Sequence, residues 1–291
     1  MVKCEFYNKE GCKFNKDGIC TKYKSKSDNL SLHCSGEWTK EKVAHFKWYA
    51  DIFSLGMKNK WPSRFYIDLF CGPGKSIIRE GLEEINGTVL DVLDIREKFT
   101  KYFFVDMNKI CIESLKKRVG ERSDIEFYSS DCNLIIEKII DSLPSYSLSL
   151  AVIDPDSLQF NFKNYGILSR KKVDLIINYP IAPIERAISS VASSNYESRV
   201  LDNFHPGWRN IINKNTWGNG KKEKMRKLRE DYFQKIRDLG YYSCNIMSPV
   251  KNGRNATLYY LIFFSKDKKG IEFWEKQIKS FDEKNRQPKL I

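Results

Sequence analysis

Tyr66-Ile67-Asp68-Leu69-Phe70-Cys71-Gly72-Pro73-Gly74 is the stretch on which the fold turns. An apolar run, Phe65–Phe70, carries one acid and stops at two glycines one residue apart. A short apolar run bounded by a glycine turn reads as a buried strand. Glycines at such a turn let the backbone approach a bound cofactor closely.

Outward from this turn the pattern repeats. Lys101–Val105 (KYFFV) is a second strand, ending at Asp106. Ile125–Ser129 is a third, ending at Asp131, and Leu148–Ile153 (LSLAVI) a fourth, ending at Asp154. Val173–Ile177 (VDLII) is a fifth, ending at Asn178. Helical stretches stand between them: Thr88–Thr100, Lys109–Val119 and Asn133–Ser142. Apolar strands alternating with helices predict an α/β fold, a mostly parallel sheet covered on both faces. Ligands of such sheets lie beyond the carboxyl ends of the strands, where these acids and the amide fall. Tyr241–Met247 and Leu258–Ser265 predict a C-terminal antiparallel hairpin, its connection containing Pro249 and Gly253. Gly270–Phe281 reads as a short helix.

Three cofactor readings compete at the turn, beside that of an unliganded loop. A phosphate-binding P-loop would end in Gly74-Lys75-Ser76, but Leu69 stands where its first Gly is required. A dinucleotide turn needs a third Gly where Ile77 stands. An S-adenosylmethionine site needs an acid on the strand, a Gly-x-Gly turn and an acid at the end of the next strand. Asp68, Cys71, Gly72, Pro73, Gly74 and Asp106 supply these, with Asp131 and Cys132 placed for the adenine.

The ordered set YIDLFCGPG, Gly87-Thr88, FFVD, VIDPD, DLIINYP and YYLIFFSKD resembles the three-Cys-motif partner (TcmP) family over Trp38 to Trp274. The resemblance implies a Rossmann-like class I methyltransferase fold, an S-adenosylmethionine site and a radical-SAM-like protein as partner. It names no substrate. One departure is plain: the family pattern often reads DPFG after the fourth strand, and this chain has Asp154-Pro155-Asp156-Ser157.

Asp154-Pro155 stands where amino-methylating enzymes carry an acid or amide, prolines and an aromatic ring. Here Asn178-Tyr179-Pro180 supplies an amide and a ring on the neighbouring strand. Asp154 and Asn178 are therefore the candidates to orient an acceptor, and Tyr179 to stack on a base. A strand exit stiffened by proline explains Asp154 equally well. No Cys follows Pro155, which disfavours a covalent cytosine mechanism.

Residues 1–37 form a different region. Cys4, Cys12, Cys20 and Cys34 lie in it among lysines and glycines, with little apolar periodicity. Such a segment cannot bury enough surface to order itself. Four thiols suit a zinc ion, or an iron–sulfur cluster as the alternative, and His33 could replace Cys34. A Cys-rich metal-binding cap is the expectation. Its lysines interleave with Phe6, Tyr7, Phe14 and Tyr23, as nucleic-acid surfaces do; a solvated lysine surface reads the same way. The chain thus divides into a cap at 1–37, an α/β domain at 38–281 and a polar tail at 282–291. Trp38–Met57 reads as an amphipathic helix with Thr39 as a plausible cap.

The 291 residues carry 50 Lys and Arg against 37 Asp and Glu, a net +13. That balance favours a polyanionic partner, and nucleic acid is the expected one. Lys221–Arg237 concentrates eight basic residues against three acids, which also describes a solvated helix face. No apolar run reaches the roughly 18 residues of a membrane span, and no secretory signal is visible. A cytoplasmic protein without membrane partners is the expectation, its cysteines reduced.

Overall fold

The computed structural model describes residues 4, 7–8, 11–193, 198–213, 217–244, 248–251 and 256–286. The chain opens with a ribbon of β1 (Tyr7–Asn8) and β2 (Gly11–Cys12), then β3 (Asn15–Lys16), β4 (Ile19–Lys24) and β5 (Ser31–Ser35). Helix α1 (Trp38–Met57) leads to β6 (Arg64–Asp68). After the glycine turn the chain does not enter a helix. It makes a hairpin, β7 (Lys75–Ile78) and β8 (Glu83–Asn86), before the short α2 (Thr88–Leu93).

Then follow β9 (Lys101–Asp106), α3 (Lys109–Val119), β10 (Ile125–Ser129), α4 (Cys132–Ser142), β11 (Leu148–Ile153), α5 (Lys163–Leu168) and β12 (Val173–Pro180). Helices α6 (Ile181–Ser193), α7 (Arg199–Phe204) and α8 (Lys221–Asp238) precede β13 (Tyr242–Ser243), β14 (Ser248–Lys251), β15 (Thr257–Ser265) and α9 (Lys268–Arg286).

The large sheet runs β10-β9-β6-β11-β12-β15-β13, with β14 also paired to β15. Counted along the chain, omitting β14, this order is 3-2-1-4-5-7-6. The first five strands are parallel, and β15 enters antiparallel beside β12. The chain reverses direction across the sheet between β6 and β11, so the crevice at their carboxyl ends is the ligand position of an open α/β sheet. Every residue of β6, β11 and β12 is buried, because helices cover both faces. Helix α4 shows how: Ile136, Ile139 and Ile140 recur at helical spacing and are all buried. The basic helix α8 does the same with Met225, Leu228, Tyr232 and Ile236, leaving its cations outside.

The α/β architecture with a mixed sheet is present. Its details differ from the sequence reading in three places. Helix α2 ends at Leu93, not Thr100. Thr39 lies inside α1, whose cap position is Glu37 with no side-chain bond. Helix α9 runs on to Arg286, so the tail is helical at its start; residues 287–291 lie outside the described ones. Residues 245–247 of the expected strand and Gly253 of its connection also lie outside them.

The head is ordered by strand pairing. Strands β3, β4 and β5 join β7 and β8 in one five-stranded sheet, with β5 parallel to β7. The hairpin inserted after the glycine turn thus supplies the head with partners for its backbone groups, which a buried edge requires. Cys20, Leu32, Cys34 and Ile77 form its small apolar cluster. Glu84 accepts bonds from Ser25, Ser27 and Lys75, tying the two segments on the polar side. Among the described residues no helix is long and apolar enough to cross a membrane.

Candidate functional site

The glycine turn is built by backbone that only glycine adopts freely. Gly72 has φ +60° and Gly74 φ +89°. A Cβ on Gly74 would stand 2.8 Å from Leu115 Cδ1. Gly87 closes on the turn from behind, its amide donating to the Gly74 carbonyl at 2.7 Å. That contact explains why Gly87 belongs with the motif although twelve residues of hairpin separate it from Gly74.

Two acids frame the turn. Asp68 accepts the Phe70 amide at 3.1 Å from beneath, and its burial pushes the carboxyl up to about 7. Asp106 accepts the Gly72 amide through Oδ2 at 3.0 Å and the Asn108 amide through Oδ1 at 2.8 Å. Burial raises the Asp106 carboxyl, and these two amides oppose it. Asp131 caps α4, accepting both the backbone and side-chain nitrogens of Asn133 at 2.9 and 2.7 Å. Asn133 in turn bonds to Gln159, Asn161 and Asn164, which fixes the adjoining wall. Cys71 and Cys132 are buried, and burial raises both thiols, Cys132 to about 12.

Asp154 sits at the other end of the crevice. Its Oδ1 accepts Asn178 Nδ2 at 2.7 Å, and its Oδ2 faces Lys42 Nζ at 2.7 Å. Both members of the ion pair are largely buried, with 15% and 13% of their side chains exposed. Burial pulls the Lys42 ammonium toward neutrality, but Asp154, Tyr259 and Asp156 together outweigh it and the net shift is upward. Lys42 is therefore a cation at neutral pH. Next to this pair, His33 Nε2 meets Asp156 Oδ2 at 3.3 Å, and His33 Nδ1 meets Ser35 Oγ at 2.9 Å.

These groups enclose a cavity of about 360 Å³. Asp106, Asp131 and Asp154 form its floor; Asp17, Gly18, His33 and Ser35 of the head reach it from above. The head is a roof over the crevice. A wider groove of about 680 Å³ runs along the outer face of α1. Its charges are spent on one another, as in Lys40–Glu83 and Arg96–Asp51, and no strand end of the large sheet reaches it.

Asp68 lies under this turn, while Cys71, Gly72, Pro73, Gly74, Asp106, Asp131, Cys132 and Asp154 converge on the crevice; Asn178 stands one layer behind. Tyr179 does not join them. It is fully buried, with ring centres 5.2 Å from Tyr232 and 5.3 Å from Phe233. Successive residues of a strand face opposite sides of the sheet. Asn178 points to the crevice side, so Tyr179 points into the helical layer.

The expected zinc or iron–sulfur site is not shown by the described residues. Among the described residues no group of three or more His, Cys, Asp or Glu side chains is placed to hold a metal ion. Cys20 and Cys34 pack with Leu32 and Ile77, and burial pushes the Cys34 thiol up to about 11. The neighbouring Cys20 and Cys12 thiols add to that rise, and Arg79 opposes it.

Sequence reading missed Lys42. The signal was there: Lys42 lies between Thr39, Val43 and Phe46, the buried face of α1. A lysine on an apolar stripe needs a buried partner. Asp17 carried no local signal, because the head brings it to the crevice only through its sheet; Asp156, two residues past Asp154, faces the crevice from the large sheet and meets His33 of the head there.

The chain matches no protein-family model and no curated protein. Solved structures with a similar fold include a protein from Legionella pneumophila, with 9% identity over 77% of this chain and 84% of that one, TM-score 0.44. Another is N-methyltransferase NodS from Bradyrhizobium japonicum in complex with S-adenosyl-L-homocysteine, with 9% identity over 80% and 89%, TM-score 0.38. A third is Aeropyrum pernix fibrillarin with natively bound S-adenosyl-L-methionine, with 12% identity over 78% and 76%, TM-score 0.37. These likenesses are distant.

Proposed function

We propose that this protein is an S-adenosylmethionine-dependent methyltransferase of the Rossmann-like class, acting on nucleic acid. The observation that carries the reading is the charge of the crevice. In a chain of net +13, five aspartates line one cavity, Asp17, Asp106, Asp131, Asp154 and Asp156, against two lysines, Lys42 and Lys75, which pair with Asp154 and Glu84. A nucleoside polyphosphate or dinucleotide would place its phosphates among these carboxylates, which like-charge repulsion disfavours. A cofactor carrying a sulfonium and an ammonium is the complementary ligand.

The residues present fit that group. Gly72 and Gly74 leave room for its close approach. Asp106, fixed by the Gly72 and Asn108 amides, would accept the ribose hydroxyls. Asp131 and Cys132 flank the adenine position, and Asp154 marks the acceptor end. When bound, the cofactor supplies an electrophilic methyl group; the protein aligns the acceptor and manages its proton. The outward cations of α8 and the lysines of the head support a polyanionic substrate.

Calorimetry tests the assignment. S-adenosylmethionine and S-adenosylhomocysteine should bind in preference to ATP and NAD. Binding of ATP or NAD with neither of the first two would overturn it.

A further inference from the structure

We propose that Lys42 recognises the α-carboxylate at the amino-acid end of the cofactor, and so makes the site selective for S-adenosylmethionine over adenosyl sulfonium compounds that lack that group. The inference rests on the cofactor reading above and deepens it by assigning the one anionic group of that ligand.

The starting point is a mismatch of charge. The five aspartates of the cavity complement a sulfonium and an ammonium, but they repel a carboxylate. A ligand carrying all three groups needs one cationic spot. The glycine turn does not supply it. The Leu69 and Cys71 amides donate to the carbonyls of Val152 and Val105, at 3.2 and 3.0 Å. The Phe70 amide donates to Asp68 and the Gly72 amide to Asp106. Pro73 has no N–H. From Leu69 to Pro73 every backbone donor is therefore spent within the protein, and the cation has to come from a side chain.

Two lysines and one histidine line the cavity, and they are not equivalent. Lys75 Nζ donates to Ser27 Oγ at 2.6 Å and to Glu84 Oε1 at 2.8 Å, which commits it to fastening the head. His33 is engaged at both ring nitrogens, with Asp156 and Ser35. Lys42 Nζ meets Asp154 Oδ2 at 2.7 Å, and the Tyr259 ring centre lies 5.7 Å away. An ammonium has three N–H donors. One serves Asp154, which leaves capacity for a second oxygen.

The position suits the role. Lys42 is near enough to the glycine turn for its charge to act on the Asp68 carboxyl beneath it. Only 15% of its side chain is exposed, so a carboxylate paired with it is little screened by water. Asp154 holds the ammonium in place before the ligand arrives, which lowers the ordering cost of binding.

The test is calorimetry on the full chain with two ligands that differ by the carboxylate alone, S-adenosylmethionine and its decarboxylated form. Wild type should bind the first roughly 10- to 100-fold more tightly, the range of one hydrogen bond between charged groups. Lys42→Met should erase that preference through two effects of unlike sign. Affinity for S-adenosylmethionine falls, while affinity for the decarboxylated form, which then meets the acids without the lysine, holds or rises. Lys42→Arg should keep part of the preference, since it keeps the charge. The double variant, Lys42→Met with Asp154→Asn, removes both buried charges and should show the same loss of preference if the single variant does not fold. A wild type that binds the two ligands equally, or a folded Lys42→Met protein that keeps the preference or weakens both ligands alike, would overturn the inference and leave the cofactor reading standing. Failure of the wild type to bind either ligand would remove both.

Discussion

Arg118 grips Asp28 with two nitrogens, Nε at 2.8 Å and Nη2 at 3.0 Å. Its remaining nitrogen, Nη1, donates to the carbonyls of Ser31 and Pro73. One side chain at the end of α3 thereby fastens the head to the glycine turn. Only 3% of it is exposed. The bonds from Arg118 hold the Asp28 carboxyl well below the usual carboxylate range.

Removing this link should loosen both parts together. Arg118→Ala is expected to cost about 2–4 kcal/mol, because it strands a carboxylate and two carbonyls with reduced access to water. Chemical denaturation measures the loss, and limited proteolysis should show new cleavage within 11–37. A depressed carboxyl stabilises the fold above its unfolded value and loses that contribution as pH falls through the folded one. The Asp28 contribution should therefore persist at neutral pH and fade only in strong acid.

Asp106→Ala should weaken S-adenosylmethionine binding by roughly 1.5–3 kcal/mol through lost hydrogen bonds to a charged group. Gly74→Ala should weaken it as well, since the new Cβ meets Leu115 and the backbone sits at φ +89°. Calorimetry on both variants, with circular dichroism to confirm folding, checks this. Asp106→Ala binding as tightly as wild type would exclude a ribose role.

Asp174 is a buried carboxyl at the opposite end of β12, and burial pushes it up to about 7. A raised carboxyl binds its proton more tightly folded than unfolded, so stability should fall as pH rises from about 4 to about 7. The shift corresponds to at most about 4 kcal/mol. Asp174→Asn should flatten the pH dependence of the melting temperature over that range and melt higher than wild type at pH 8. Asp68, also raised to about 7, leaves a residual slope.

Tyr179 should behave as a core residue. Its hydroxyl is buried without a hydrogen-bond partner among the described residues, so Tyr179→Phe should be neutral or mildly stabilising. Tyr179→Ala should cost about 3–5 kcal/mol. Denaturation curves decide; a stable Tyr179→Ala protein would contradict its placement against Tyr232 and Phe233.

The cations of α8 are unequal. Arg226 is spent on Glu223 and Glu230, and Lys235 on Asp231. Lys222 and Lys227 are exposed. Reversing these two to Glu should lower the salt slope of RNA binding by about 2, roughly one for each lost phosphate contact. A salt titration with labelled RNA measures it, and an unchanged slope would place the interface elsewhere.

The sequence alone determined the parallel strands, the glycine turn between Asp68 and Gly74, and the acids at Asp106, Asp131 and Asp154. Each is a local signal: an apolar run, a Gly-x-Gly break, a carboxylate where the run stops. Tertiary structure decided the rest. All eight residues of β12 are buried, so no contrast of polar and apolar residues told which side Tyr179 faces. The strands Lys75–Ile78 and Glu83–Asn86 are short and carry no strong period, and only pairing with Ser31–Ser35 shows that they order the head. Four cysteines read as metal ligands in the sequence, where composition does not separate a ligand thiol from a small apolar side chain, and the described residues show no metal-holding group. Lys42 and Asp154 are far apart along the chain, and their 2.7 Å contact exists only because α1 packs across the carboxyl end of β11.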